Sequence, residues 1–215
     1  MGFNTDIISA TTITGTTFYG DGSNLTGVSG SGAVSLYTYE IGQYVSSEGG
    51  VIAHRWLSTS SLGSPSGGTV QNYLVLDTTD LSTSTFWSTG TTNISNVESV
   101  WDGLTNTNNL ISAGEPLGIT PTSAAGLCYN STNNSKTDWY LPSIGELVKV
   151  STNRWEISQG LGIAGGTQIG YAVYWSSTEH TGISAWGFNF DGATTNLLAK
   201  TATVYDVRAI RKFSI

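Results

Sequence analysis

Between Ser184 and Phe190 an aromatic side chain falls on every second residue from Trp186 onward: Trp186, Phe188 and Phe190, with Asp191-Gly192 directly after. Alternate residues of a strand share one face, so this string reads as a half-buried strand that reverses at a tight turn. The same grammar recurs over residues 171–176, 197–199 and 204–210, which predicts an all-β C-terminal third. A chain written this way must close its sheets by hairpins and bury one aromatic face.

Upstream, Tyr37, Tyr39 and Ile41 alternate with polar or small residues and predict a strand. Gly49-Gly50 reads as a turn into a buried strand at Val51-Ile52-Ala53, and Tyr73-Leu74-Val75-Leu76 as a core strand. The Ser-, Gly- and Pro-rich run over residues 58–68 between them reads as a loop. Helical spacing appears in two places, at Asn109-Leu110-Ile111-Ser112-Ala113 and at Ser123-Ala124-Ala125-Gly126-Leu127-Cys128. Ser143 with Glu146 three residues later forms an S-x-x-E capping box, so a helix starts there and carries Leu147-Val148; Pro142 stiffens the entry.

Charge is scarce. Only 11% of the 215 residues are Asp, Glu, Lys or Arg, less than half the usual share, so Ser, Thr, Asn and Gly supply the polar surface. Such a surface suits neutral hydrogen-bonding partners such as sugars, or tight packing within a particle. With eight basic and fifteen acidic residues the net charge is −7, and no Lys/Arg cluster focuses an attractive field, which argues against nucleic acid. One cysteine, Cys128, allows no intrachain disulfide and reads as a small buried hydrophobe. No apolar run reaches the ~20 residues that span a bilayer, and residues 1–6 show neither a basic n-region nor an apolar h-region. An adhesin-like composition without a secretion signal fits a virion component released by lysis; the competing expectation is a secreted chain whose signal has been removed.

Residues 1–32 differ from the rest. The β-branched run over residues 8–18 and the turn-rich Tyr19-Gly20-Asp21-Gly22-Ser23-Asn24-Leu25-Thr26-Gly27 cannot bury enough surface to order alone. The expectation is an extended β-rich arm that orders against other copies or a neighbouring virion protein, followed by a flexible joint at Ser29-Gly30-Ser31-Gly32 and one domain over residues 33–215. The arm resembles short segments that recur in phage tail-fibre proteins.

Within the domain an ordered set of strings stands out: Asp138-Trp139-Tyr140-Leu141-Pro142-Ser143, Glu146-Leu147, Tyr174-Trp175-Ser176-Ser177-Thr178-Glu179, Ala185-Trp186-Gly187-Phe188-Asn189-Phe190 and Val207-Arg208-Ala209-Ile210-Arg211. This order resembles the bacterial and phage domain family typified by the C-terminal domain of the Lcl collagen-like adhesin. The resemblance covers most of residues 41–213. It implies an α+β, C-type-lectin-like fold of antiparallel sheets with two or three short helices, found on surface adhesins and phage fibres.

Each candidate for chemistry also has a plainer role. The aromatics of the motif strings could stack on sugar rings, but Trp175, Trp186, Phe188 and Phe190 match motif positions that are mostly core; Trp56, Trp87, Trp101 and Tyr205 lie off that pattern and are freer to be exposed. Arg208 and Arg211 could grip a carboxylate or phosphate, yet an ion pair with an earlier acid such as Glu146 is the favoured expectation. The resemblance's calcium ligands are missing, since Glu115-Pro116 is followed by Leu117, and two His with one Cys make zinc improbable. His54 and His180 adjoin no nucleophile motif, so no enzyme activity and no cofactor are expected. Binding is expected on the loops between the motif strings: Glu179, His180 and Thr181, then Asp191, Thr194 and Asn196, then Lys200 and Tyr205. The function expected is that of a phage fibre or spike protein binding a host surface glycan or protein, in a homotrimer joined to other virion proteins through residues 1–32. A structural virion protein without a receptor role is the alternative.

Overall fold

The computed structural model describes residues 37–58 and 70–215. The arm and its joint, and most of the predicted loop at 58–68, lie outside them. Nine strands form two sheets among the described residues. The first is antiparallel, in the order β1 (Tyr44–Val45), β2 (Gly50–Ser58), β3 (Val70–Asp77) and β9 (Ile210–Ser214). The second runs β4 (Ser82–Thr85), β8 (Tyr205–Val207), β5 (Val173–Thr181), β6 (Ser184–Asn189) and β7 (Thr194–Ala199). It is mixed, because β5 and β8 lie parallel where Tyr174 meets Asp206. Four α-helices pack around the sheets: α1 (Gly103–Ala113), α2 (Ala124–Tyr129), α3 (Ile144–Thr152) and α4 (Arg154–Ala164).

The apolar run in β3 reads as a core strand because the first sheet is covered on both faces. Ile52, Tyr73 and Val75 face one cluster, with Trp87, Trp139 and Trp175 and with Leu110 and Cys128 of α1 and α2. Their neighbours Val51, Leu74 and Leu76 face the other, with Leu147 and Val150 of α3, Ile157 and Leu161 of α4, and Phe188 and Phe190. The three tryptophans are almost fully buried, yet each indole N–H donates to a carbonyl: Trp87 to Ser176 at 2.7 Å, Trp175 to Thr85 at 2.9 Å and Trp139 to Asn133 at 3.0 Å. Their burial therefore leaves no orphaned donor.

The expected C-type-lectin-like α+β fold is corrected by this architecture. Two packed sheets of four and five strands carry the described residues, and the short helices fill in around them, an arrangement closer to a β-sandwich. The local strings were read as strands without saying which sheet each would join. Packing decides that: β5 and β6 also bury both faces, Trp175 and Ala185 towards the first cluster and Tyr174 and Phe188 towards the second. Two layers of sheet are needed to cover so many apolar faces.

Local readings fare unevenly. The capping box is present in full, with Glu146 N–H donating to Ser143 Oγ at 3.4 Å and Ser143 N–H donating to Glu146 Oε2 at 2.8 Å. The Asp191-Gly192 turn joins β6 to β7, and Ala193 completes it at φ +51°. Tyr37, Tyr39 and Ile41 form no strand; Tyr39 instead packs edge-on against Tyr73 at 5.4 Å. Helix α4 was not predicted, since Gly160 and Gly162 lower its propensity. Gly160 is required by contact, because a methyl group there would meet the Gly42 carbonyl oxygen at 2.1 Å.

Candidate functional site

The predicted loop residues do not converge. Strand β5 runs on through Thr181, which carries Glu179 into the interior, where its carboxylate pairs with Lys200. Glu179 also accepts from the Ile94 amide at 3.1 and 3.0 Å, and Lys200 donates to the Thr92 carbonyl at 3.1 Å beneath the Trp87 ring. Both side chains are shielded from solvent in this fold. His180 and Thr181 are exposed at the end of the strand and share Ser184 as a partner at 3.2 and 2.7 Å. Asp191 is exposed in the hairpin, and Thr194 donates to Asn196 at 3.2 Å. Tyr205 is half-buried, edge-on to Trp175 at 5.0 Å.

The arginines are structural. Arg211 grips Asp138 with two parallel bonds of 2.7 and 2.8 Å and reaches Glu48 at 2.8 Å, tying both ends of the motif set together. Arg208 pairs with Asp80 at 2.6 Å and donates to the Thr167 carbonyl at 2.8 Å. Glu146, the acid expected to serve them, binds Lys212 instead.

A different set of residues does converge. The pairing of β2 with β3 shifts by one residue between Ile52 and His54. Before the shift Val51 and Ala53 face the α3–α4 layer. Past it, the extra residue moves the alternation, so His54 and Trp56 take that face. The register then sets His54 opposite Leu74, and Leu74 opposite Lys212, in one row across β2, β3 and β9. Helix α3 crosses above this row and offers Glu146 and, one turn on, Lys149. The segment before α1 brings Trp101 over the start of α3, against Gly145: a methyl there would meet the Val100 carbonyl at 2.4 Å and the indole at 2.6 Å. The result is a pocket of about 210 Å³ walled by Trp56 and Trp101, floored by Leu74 and edged by His54, Lys149 and Lys212.

The polar groups of the pocket differ in what they have left to give. Glu146 is saturated: it accepts from Tyr140 Oη at 2.9 Å, Ser143 N at 2.8 Å, Ser143 Oγ at 2.9 Å, Gly103 N at 3.2 Å and Lys212 Nζ at 2.9 Å. Burial and this carboxylate push the Tyr140 phenol well up, so it remains a donor. Lys212 is thereby neutralised, with Asp102 a further 3.7 Å neighbour. Lys149, in the last turn of α3, is exposed and makes no ion pair among the described residues. Burial first, and the Lys149 charge second, lower the His54 pKa, so its ring is neutral at pH 7. Its Nδ1 is buried without a hydrogen-bond partner. Trp101 stands 69% exposed, while Trp56 is half-buried and stacks beside His54 at 6.0 Å.

Trp56 and Trp101 were legible as aromatics off the core pattern, but Trp87, read the same way, is 1% exposed. The row His54–Leu74–Lys212 could not be read at all, because it depends on the register shift in β2. A second, shallower depression of about 690 Å³ lies between Val148, Ser151 and Thr152 of α3 and the Ala193–Thr195 side of the hairpin, and takes in Thr194. No charged side chain lines it. Among the described residues no group of three or more His, Cys, Asp or Glu could hold a metal, and no helix is long and apolar enough to cross a membrane.

No family model matches this chain. No curated protein matches it either. Among solved structures it is similar to a fimbrial protein from Bacteroides ovatus, at 17% identity and a TM-score of 0.37, over 65% of this chain and 35% of that one.

Proposed function

We propose that this chain is an attachment protein of a phage particle, binding a receptor on the host surface through the pocket between Trp56 and Trp101. One observation carries the reading. In a chain whose four arginines are all engaged by partners within the protein, an exposed aromatic wall and an unpaired lysine meet over one concavity. Exposing an indole to this extent forgoes burial worth about 1.5–3 kcal/mol, which a folded chain recovers when a partner covers it. The arm's resemblance to tail-fibre segments supports a place on the virion, with residues 1–32 joining other virion proteins. Three copies joined through that arm would turn a shallow site into a firm one, since linked sites gain ~10²–10⁴ in avidity without new contacts.

The test is saturation binding of the fluorescently labelled full chain to host cells, beside mutant cells to which the phage no longer adsorbs. Saturable binding to the first and none to the second is the expected result. Equal or absent binding to both would overturn the reading in favour of a structural virion protein.

A further inference from the structure

The pocket's size, walls and charge also limit what it can hold, and this inference rests on the recognition reading above. We infer that the pocket takes one pyranose ring bearing a single acidic group, with the ring between Trp56 and Trp101 and the acid at Lys149. Three observations lead there. The volume of about 210 Å³ falls below the roughly 300–1,000 Å³ of sites for drug-sized ligands, so the depression itself accommodates about one ring. Two indoles and Leu74 supply the apolar side chains of the lining, a surface for the C–H faces of a ring. The polar groups then fix which ring. Glu146 has spent its oxygens on five donors and has neutralised Lys212, so it offers a sugar little.

What remains is the Lys149 ammonium, exposed at the edge of the pocket and without an ion pair among the described residues. One free cation over an apolar surface matches one anion on a ring. A polyanion fits poorly, because the chain carries a net charge of −7 and would repel every charge beyond the first. A neutral sugar would leave Lys149 unpaired. A lysine supplies a point charge rather than a planar fork, so it pairs with a carboxylate or a phosphate alike, and the probes separate the two.

The test uses the full chain and reads quenching of tryptophan fluorescence together with the His54 ring signals in NMR. Methyl β-D-glucuronide, N-acetylneuraminic acid and glucose 6-phosphate are titrated beside methyl β-D-glucoside at ~0.15 M salt, where exposed charges are partly screened. At least one acidic sugar is expected to bind more tightly than the neutral one, by up to about fivefold, the upper range for an exposed ion pair. Lys149→Gln should erase that preference, and Trp101→Ala should weaken all the sugars while the circular dichroism spectrum stays unchanged. Equal binding of acidic and neutral sugars, or a preference that survives Lys149→Gln, overturns the inference. Should no sugar bind while the labelled chain still saturates host cells, the ligand class is wrong and the attachment reading stands. Failure of both assays removes both.

Discussion

Removing the carboxylate of Glu179 should destabilise the fold severely without touching recognition. The Lys200 side chain is 0% exposed and that of Glu179 2% exposed, so neither can turn to water without opening the surrounding fold. In Glu179→Ala the Lys200 ammonium keeps only the Thr92 carbonyl and the Trp87 face, and the Ile94 amide loses its acceptor. Breaking one side of such a buried pair costs about 3–5 kcal/mol, against a total stability of about 5–15 kcal/mol for an ordinary domain. At ~2–4 °C per kcal/mol for a domain of this size, the melting temperature should fall by about 6–20 °C. Urea unfolding followed by tryptophan fluorescence at pH 7 measures it. The double variant Glu179→Leu, Lys200→Met should return most of the loss, because it removes the stranded charge rather than half of the pair. A cost below about 1 kcal/mol for the single variant, the scale of an exposed pair, would refute the buried-pair account. If Glu179 and Lys200 instead touched a receptor, the double variant would stay folded and lose host binding.

Three further outcomes follow from the geometry. Burial and the nearby Asp80 carboxylate push Asp206 up to about 6, with Arg208 opposing, so the folded state holds a proton that the unfolded chain has released above about pH 4. Stability should therefore fall as pH rises from 4 to 6, and Asp206→Asn should flatten that fall in denaturation curves taken across the window. Gly145→Ala should displace Trp101 and cost ~1–3 kcal/mol, because the added methyl meets backbone at 2.4 Å; a variant of wild-type stability and sugar affinity would refute the close contact. Removing the Lys149 charge by Lys149→Gln should raise the His54 pKa part of the way towards its ordinary value, since burial remains, and an unmoved NMR titration would show that the two groups do not face each other.

What the sequence made legible was local. Ser143 and Glu146 specify their own helix start, because a capping box needs only four residues, and Asp191-Gly192 specifies its own turn. Spacing put Trp186, Phe188 and Phe190 on one strand face, and the match to the motif strings put them and Trp175 in the core; Trp175, Phe188 and Phe190 are buried, while Trp186 is half-buried. Sheet membership was not legible. A residue whose neighbours cover both faces looks the same in either sheet, so the resemblance to a lectin-like domain supplied an architecture that the packed sheets do not have. Glu179 and Lys200 were read as loop residues because a buried ion pair carries no local signature; only the extension of β5 to Thr181 brings them together. The pocket stayed hidden for a related reason. His54 and Lys212 are 158 positions apart, and one bulge in β2 decides that they share a row. The motif strings themselves turn out to be mostly scaffold: Asp138 with Arg211, Ser143 with Glu146, and Trp175 with its carbonyl acceptor hold the elements that frame the site.

Adsorption competition addresses the central claim most directly. The unlabelled full chain is added to susceptible cells before phage, in wild-type form and as Trp101→Ala, both checked for unchanged melting. The account predicts that the wild-type chain blocks adsorption in a saturable manner and that Trp101→Ala blocks it far less. Undiminished adsorption in the presence of the wild-type chain, or equal blocking by the variant, would contradict it.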